Sequence, residues 1–253
     1  MAGHTEMEPD QVAADKQDIR EDVWARLRAA GAARFPGTRG RIPNFPGAER
    51  AAEHLADQPE WVESAVVKSN PDSPQWPART RAVAADKRLY MAVPRLADQA
   101  PFLLLERHRL DVAPRGATSI TGSARHARPI ALSEMSRVEL ILCGSVAVDH
   151  AGRRLGKGGG FSDMEFGLLT EAGLVDDQTT IATTVHPVQV LDTELPETEH
   201  DFRVDLIVTP DKVIRPCSPR RPAGILWHHL EADRIAAIPA LQQLHSAGDV
   251  GSY

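Results

Sequence analysis

The stretch Gly152-Arg153-Arg154-Leu155-Gly156-Lys157-Gly158-Gly159-Gly160-Phe161-Ser162-Asp163 decides how this chain is read. Upstream, Val138 to Cys143 has the pattern of a buried strand. Downstream, Met164-Glu165-Phe166-Gly167-Leu168-Leu169 can continue a helix that begins near Phe161. Glycines, cations and a carboxylate thus stand between a strand and a helix. Glycine permits positive φ and lets several backbone N–H groups converge on one point. A helix N-terminus adds partial positive charge, and Arg153, Arg154 and Lys157 add full charges. Asp163 is a hard oxygen donor of the kind Mg²⁺ takes. The combination suits a polyphosphate and its metal; a solvated basic turn is the plainer alternative. The spacing departs from G-x-x-x-x-G-K-[ST], because Gly158 follows Lys157. It also departs from G-x-G-x-x-G, whose last glycine would fall on Phe161 or Asp163.

Working outward, Ile19, Val23, Leu27 and Ala30 recur at helical spacing over residues 11–30, with Gly31 as a stop. Ala48 to Ala56 is a second helix. Strands are expected at Ala65-Val66-Val67, Arg81 to Ala85, Leu89 to Val93, Phe102 to Leu105, Thr180 to Val185 and Val204 to Val208. Alternation of this kind predicts an α/β domain with a largely parallel sheet, whose ligands bind beyond the C-terminal strand ends. Residues 1–10 are polar and expected to be disordered, 11–215 form the α/β domain, and 216–253 form a linker and an amphipathic helical C-terminal tail. In that tail Ile235, Ile238, Leu241 and Leu244 are spaced to pack on the core or on a second subunit, and Pro239 breaks or bends the helix.

With 253 residues and 42% hydrophobic content, the chain can bury a sizeable core. A net charge of −6 and 5% aromatics argue against nucleic acid as a partner. Cys143 and Cys217 cannot build a disulfide framework, so a cytoplasmic location is expected. No apolar run reaches the roughly 18 residues of a membrane span.

The glycine loop resembles the R-L-G-x-G-x-G-[YF]-x-D signature of the 5-formyltetrahydrofolate cyclo-ligase (methenyltetrahydrofolate synthetase) family. Lys16-Gln17-Asp18-Ile19-Arg20 resembles that family's N-terminal K-x-x-x-R. Gln189, Leu195-Pro196, His200-Asp201-Phe202-Arg203-Val204-Asp205 and Ile207-Val208-Thr209-Pro210 resemble its closing segment. Ile19-Arg20-Glu21, Val23-Trp24, Arg41-Ile42-Pro43-Asn44-Phe45, Asn70-Pro71-Asp72 and Gly144-Ser145-Val146-Ala147-Val148 resemble the subgroup of methenyltetrahydrofolate synthetase domain-containing proteins and their prokaryotic relatives.

The resemblance implies a three-layer, Rossmann-type α/β fold and a ligase that uses ATP and Mg²⁺ to convert 5-formyltetrahydrofolate to 5,10-methenyltetrahydrofolate. It implies ATP binding by Lys16, Arg20, Arg154, Gly156, Gly158, Gly159 and Gly160, with Arg154 and Lys157 catalytic. It implies Mg²⁺ at Asp163 and Asp201, and a small-molecule acceptor near Pro94, Arg95 and Phe161. Read on residue type alone, Lys16 and Arg20 suit a solvated helix face, Asp201 a turn, and Val93-Pro94-Arg95 a strand end. Departures fall on the acceptor side. Ser162 replaces a second aromatic, and Asn70 to Gln75 stands where an E-x-x-T segment is usual. Ligation of another formamide or amide, such as a thiamine-related one, and nucleotide binding without turnover are the alternatives. A monomer or homodimer is expected.

Overall fold

The computed structural model describes residues 9–93 and 96–250. Its helices are α1 Pro9–Ala29, α2 Ala48–Ala56, α3 Pro59–Glu63, α4 Trp76–Ala84, α5 Pro114–Ala117, α6 Ile120–His126, α7 Phe161–Glu171, α8 Ala232–Ala236 and α9 Pro239–Val250. Its strands are β1 Val66–Ser69, β2 Arg88–Ala92, β3 Phe102–Leu105, β4 Arg128–Ile130, β5 Leu140–Cys143, β6 Ala147–Asp149, β7 Arg154–Leu155, β8 Thr180–Thr184, β9 Val190–Leu191, β10 Leu206–Val208 and β11 Val213–Ile214. Of the stretch expected to be disordered, residues 1–8 lie outside the described residues, and Pro9 and Asp10 open α1.

Eight strands form one sheet in the order β11-β10-β8-β5-β1-β2-β3-β4. The five central strands, β10 to β2, pair in parallel, and β11, β3 and β4 are antiparallel at the edges. Period-two alternation sends successive residues to opposite faces. Leu140 and Leu142 of β5 join the core beneath α2, α3 and α4, whereas Ile141 and Cys143 join the core beneath α7 and α9. Both faces are covered, which gives the three-layer α/β architecture. The segment Arg81 to Ala85, expected as a strand, is instead the last turn of α4 and its cap. Pro77 sits in the first turn of that helix, where its missing N–H costs nothing.

A small sheet, β7-β6-β9, stands beside the main one. Its Ala147 and Leu155, with Val146 just before β6, cluster with Val23, Trp24 and Leu27 of α1. Gly152 closes the β6–β7 turn at φ +85°, and a Cβ there would lie 2.4 Å from the Val204 carbonyl. Arg153 is drawn into that turn's acidic surroundings, paired with Asp149 at 3.1 Å and Glu194 at 2.5 Å. The tail packs on the core: Ile238 and Leu241 are buried in the same cluster as α7. Pro239 is where α9 begins. Among the described residues, no helix is long and apolar enough to cross a membrane.

β1 continues through α4 to β2 on one side, and β5 leads to β8 on the other. The chain therefore reverses direction between β1 and β5, the kind of switch point where open α/β sheets bind ligands. Arg79, 1% exposed, holds the turn after β1 by donating to the carbonyls of Asn70 and Asp72, both at 2.8 Å, and of Thr118 at 3.1 Å. Burial pulls its guanidinium down to about 9, against the opposing charge of Asp72. Arg79→Met strands three carbonyls, so a loss of about 3 kcal/mol or more and a melting point lower by roughly 6–12 °C are expected. Thermal unfolding checks this; a variant melting with the wild type would show that the turn does not depend on Arg79.

Candidate functional site

Two clefts meet at the switch point, divided by the loop Gly156–Gly160. The first, of about 440 Å³, takes Lys16 and Arg20 from α1, Arg154 from β7, and Gly156, Gly158 and Gly160 from the loop. Asp163 and Asp201 complete it. The stripe Val12, Lys16, Arg20, Val23, Leu27 is the buried face of α1, so the two cations interrupt an otherwise apolar stripe. This removes the reading of Lys16 and Arg20 as a solvated face.

Each cation is fixed. Lys16 Nζ lies 2.5 Å from Asp201, whose carboxylate also accepts from the Thr198 N–H at 2.6 Å. Arg20 Nε donates to the Gly156 carbonyl at 2.8 Å. Arg154 donates through Nη1 to the Gly144 carbonyl at 3.3 Å and through Nη2 to both Asp163 oxygens at 3.2 Å. Its guanidinium carbon stands 4.5 Å over the Phe202 ring, and its buried Nε has no acceptor. Burial alone would pull the Arg154 guanidinium down; the charges around it, Asp163 first and Asp201 after it, together with the Asp163 hydrogen bonds, outweigh that and hold it above its ordinary value. Burial pushes the Asp163 carboxyl up against the pull of Arg154, with Asp201 adding in the upward sense. Burial would also push Asp201 up, but Lys16 and the Thr198 donors hold it below the usual range.

The glycines act by conformation. Gly158 has φ +99° and Gly160 φ +66°, and Gly160 is the N-cap of α7. The N-terminus of this 11-residue helix thus opens beside the first cleft, with Asp163 in its first turn. Three cations, a glycine loop and a helix start can hold a polyanion. Asp163 and Asp201 are hard oxygen donors on the same cleft, and the Asp163 carboxyl feels the charge of Asp201. That donor pair fits Mg²⁺, which takes few carboxylates and fills its shell with water and phosphate oxygens. Among the described residues, the only group of three metal-ligand side chains in mutual reach is Glu199, His228 and His229, all exposed.

The second cleft, of about 520 Å³, is lined by Asn70, Asp72, Lys157, Phe161, Ser162 and Glu165, among others. Lys157 therefore does not join Arg154: its Nζ reaches Asp72 at 3.0 Å on this side of the loop. Gly159 also faces this cleft. Pro94 and Arg95 lie outside the described residues.

One group escaped the sequence reading. Lys68 of β1 pairs with Glu165 of α7, and Asn70 Nδ2 donates to the same carboxylate at 2.7 Å. Asn70 Oδ1 accepts the Gly144 N–H at 3.3 Å. Lys68 and Glu165 are 2% and 4% exposed, so this is a buried ion pair on the floor of the second cleft. Burial pushes the Glu165 carboxyl up, against the pull of Lys68. The signal was present: one lysine inside an apolar strand and one glutamate inside an apolar helix start.

Residues 12–210 match the profile of the 5-formyltetrahydrofolate cyclo-ligase family. The chain is 37% identical over 244 residues to methenyltetrahydrofolate synthase domain-containing protein of Danio rerio, covering 91% of this chain and 62% of that protein. It is 35% identical over 246 residues to the Homo sapiens protein of that name, covering 95% of this chain and 64% of the relative. It thus spans just under two thirds of these relatives' length. The solution structure of Aquifex aeolicus 5,10-methenyltetrahydrofolate synthetase aligns with a TM-score of 0.47 at 17% identity, over 85% of this chain and 99% of that one. Matched from α1 to the turn after β10, the chain belongs to the 5-formyltetrahydrofolate cyclo-ligase family.

Proposed function

We propose that this chain is an ATP-dependent cyclo-ligase that converts 5-formyltetrahydrofolate to 5,10-methenyltetrahydrofolate, with release of ADP and phosphate. The observation that carries the reading is the first cleft, where Lys16, Arg20 and Arg154 converge on a glycine loop and a helix start. The reaction needs no covalent nucleophile from the protein. The formamide oxygen attacks the γ-phosphorus and ADP leaves. The neighbouring nitrogen then attacks the activated carbon, loses its proton, and phosphate departs as the ring closes. The protein must hold the triphosphate, screen its charge and align oxygen with phosphorus.

Lys16 and Arg20 hold the outer phosphates from α1. Arg154, at the floor of the first cleft, stabilises the transferring group. Backbone N–H groups of Gly156 to Gly160 cradle the chain of phosphates. Asp163 and Asp201 hold Mg²⁺, which screens charge between the phosphates when bound. Phe161 and the second cleft receive the acceptor, with Lys157 beside it. Two free cysteines fit a reducing cytoplasm.

Asp163→Asn and Asp201→Asn are both expected to fold and to lose turnover at physiological Mg²⁺, with partial recovery at raised Mg²⁺, because an amide is a poorer ligand. Phosphate release with MgATP and 5-formyltetrahydrofolate tests the whole reading. Unchanged Mg²⁺ dependence in both variants would remove the carboxylates from the site.

One observation favours a second reading, that the acceptor is another formamide: the buried Lys68–Glu165 pair and Asn70 give the second cleft a charged floor. The same assay with a panel of formamides decides between them.

A further inference from the structure

Arg234 lies beyond the residues that match the family, 12–210, yet it reaches the loop that divides the two clefts. It belongs to α8. Its Nη2 donates to the Gly159 carbonyl, and its guanidinium carbon stands 4.6 Å over the Phe161 ring. The same Nη2 passes close to Gly160, where an added Cβ would lie 3.9 Å from it.

The segment that carries Arg234 is anchored on both sides. After it, Ile238 and Leu241 are buried in the core beneath α7. Before it, the Ile225 N–H donates to Glu171 at 3.0 Å, and Gly167 leaves room for Ile225, whose Cγ1 would stand 3.0 Å from a Cβ there. The tail thus crosses the start of α7 as a strap and encloses a chamber of about 190 Å³ that opens on Asp163 and His200.

A trans peptide sends its carbonyl and the following N–H to opposite sides. Holding the Gly159 carbonyl on the tail side turns the Gly160 N–H away from the tail. Glycines have several backbone basins of similar energy, so this loop has little preference of its own. A charge-assisted hydrogen bond from a fixed cation supplies one. The cation simultaneously seats the Phe161 ring, which faces the second cleft.

We propose that Arg234 is a positioning residue of the site. The C-terminal strap fixes the Gly159–Gly160 peptide and the Phe161 ring, so that both clefts take their working shape only with the tail docked. The contact itself does not rest on the ligase reading; its consequence for nucleotide does.

Hydrogen exchange of the full chain, with and without MgATP, tests this on Arg234→Ala and Arg234→Lys. Exchange in peptides covering 156–163 is expected to quicken about tenfold or more in Arg234→Ala, with α9 and the central strands unchanged, and MgATP affinity to fall by a similar factor. Arg234→Lys keeps a donor but loses the planar stack, so an intermediate result is expected. Wild-type loop exchange in Arg234→Ala would overturn the proposal. So would equal loosening of α9, which would make Arg234 a docking residue of the tail. A wild type that binds no MgATP would sink the ligase reading, while the loop exchange would still decide the strap.

Discussion

Arg154→Ala is expected to abolish nucleotide-dependent turnover and to destabilise the fold at the same time. The residue is 6% exposed, and removing it leaves Asp163 as a buried carboxylate without its partner. Breaking a buried pair in this way costs about 3–5 kcal/mol, a fall in melting temperature of roughly 6–20 °C for a chain of this size. A cation that stabilises phosphoryl transfer contributes on the order of 10³ or more in rate. The two effects separate. Arg154→Met with Asp163→Leu removes both charges, so most of the stability should return while activity and the MgATP-induced thermal shift stay lost. Arg154→Lys keeps one charge but cannot reach both the Gly144 carbonyl and Asp163, so it should fold and remain slow. Wild-type turnover and thermal shift in Arg154→Lys would take Arg154 out of the reaction.

How far the sequence could be read follows from what each signal depends on. α2 and β3 appear with the expected bounds because a helical or period-two pattern is local. Arg81 to Ala85 misled because Ala and Val with charges suit either state; the decisive cue was Pro77, which starts a helix and so reassigns everything after it. The loop itself was legible, but not which side each residue faces. Lys157 and Gly159 turn toward the second cleft because Gly158 and Gly160 adopt positive φ, and no spacing rule encodes that. Arg153 looked like a third phosphate cation, yet the β6–β7 hairpin places it beside Asp149, and the segment after β9 adds Glu194 and Glu197. The Lys68–Glu165 pair and the Arg234 contact join residues 97 and 75 positions apart, so only the fold brings them together.

The Lys68–Glu165 pair offers the second large effect. Lys68→Met is expected to destabilise the chain by about 3–5 kcal/mol, since Glu165 would be left charged in the interior with Asn70 as its one remaining donor. Lys68→Met with Glu165→Met should recover most of the loss, as apolar replacements of buried pairs commonly do. The single variant carries a pH signature. Burial already holds the Glu165 carboxyl above its ordinary 4.5, and loss of Lys68 removes the largest pull in the other direction. A carboxyl raised in the folded state favours folding with the proton on, so its contribution is intact below 4.5 and is lost as pH climbs through the raised value. The stability deficit of Lys68→Met should therefore shrink on acidification toward the lower end of that window and be full at neutral pH, whereas the double variant should show no such slope. Denaturant unfolding at a series of pH values measures it. A second readout separates scaffold from recognition: at equal stability, the double variant should raise the KM for the acceptor and leave the KM for ATP unchanged, because the pair floors the second cleft and does not line the first. A pH-independent deficit, or a double variant as unstable as the single one, would show that the lysine contributes packing and not charge.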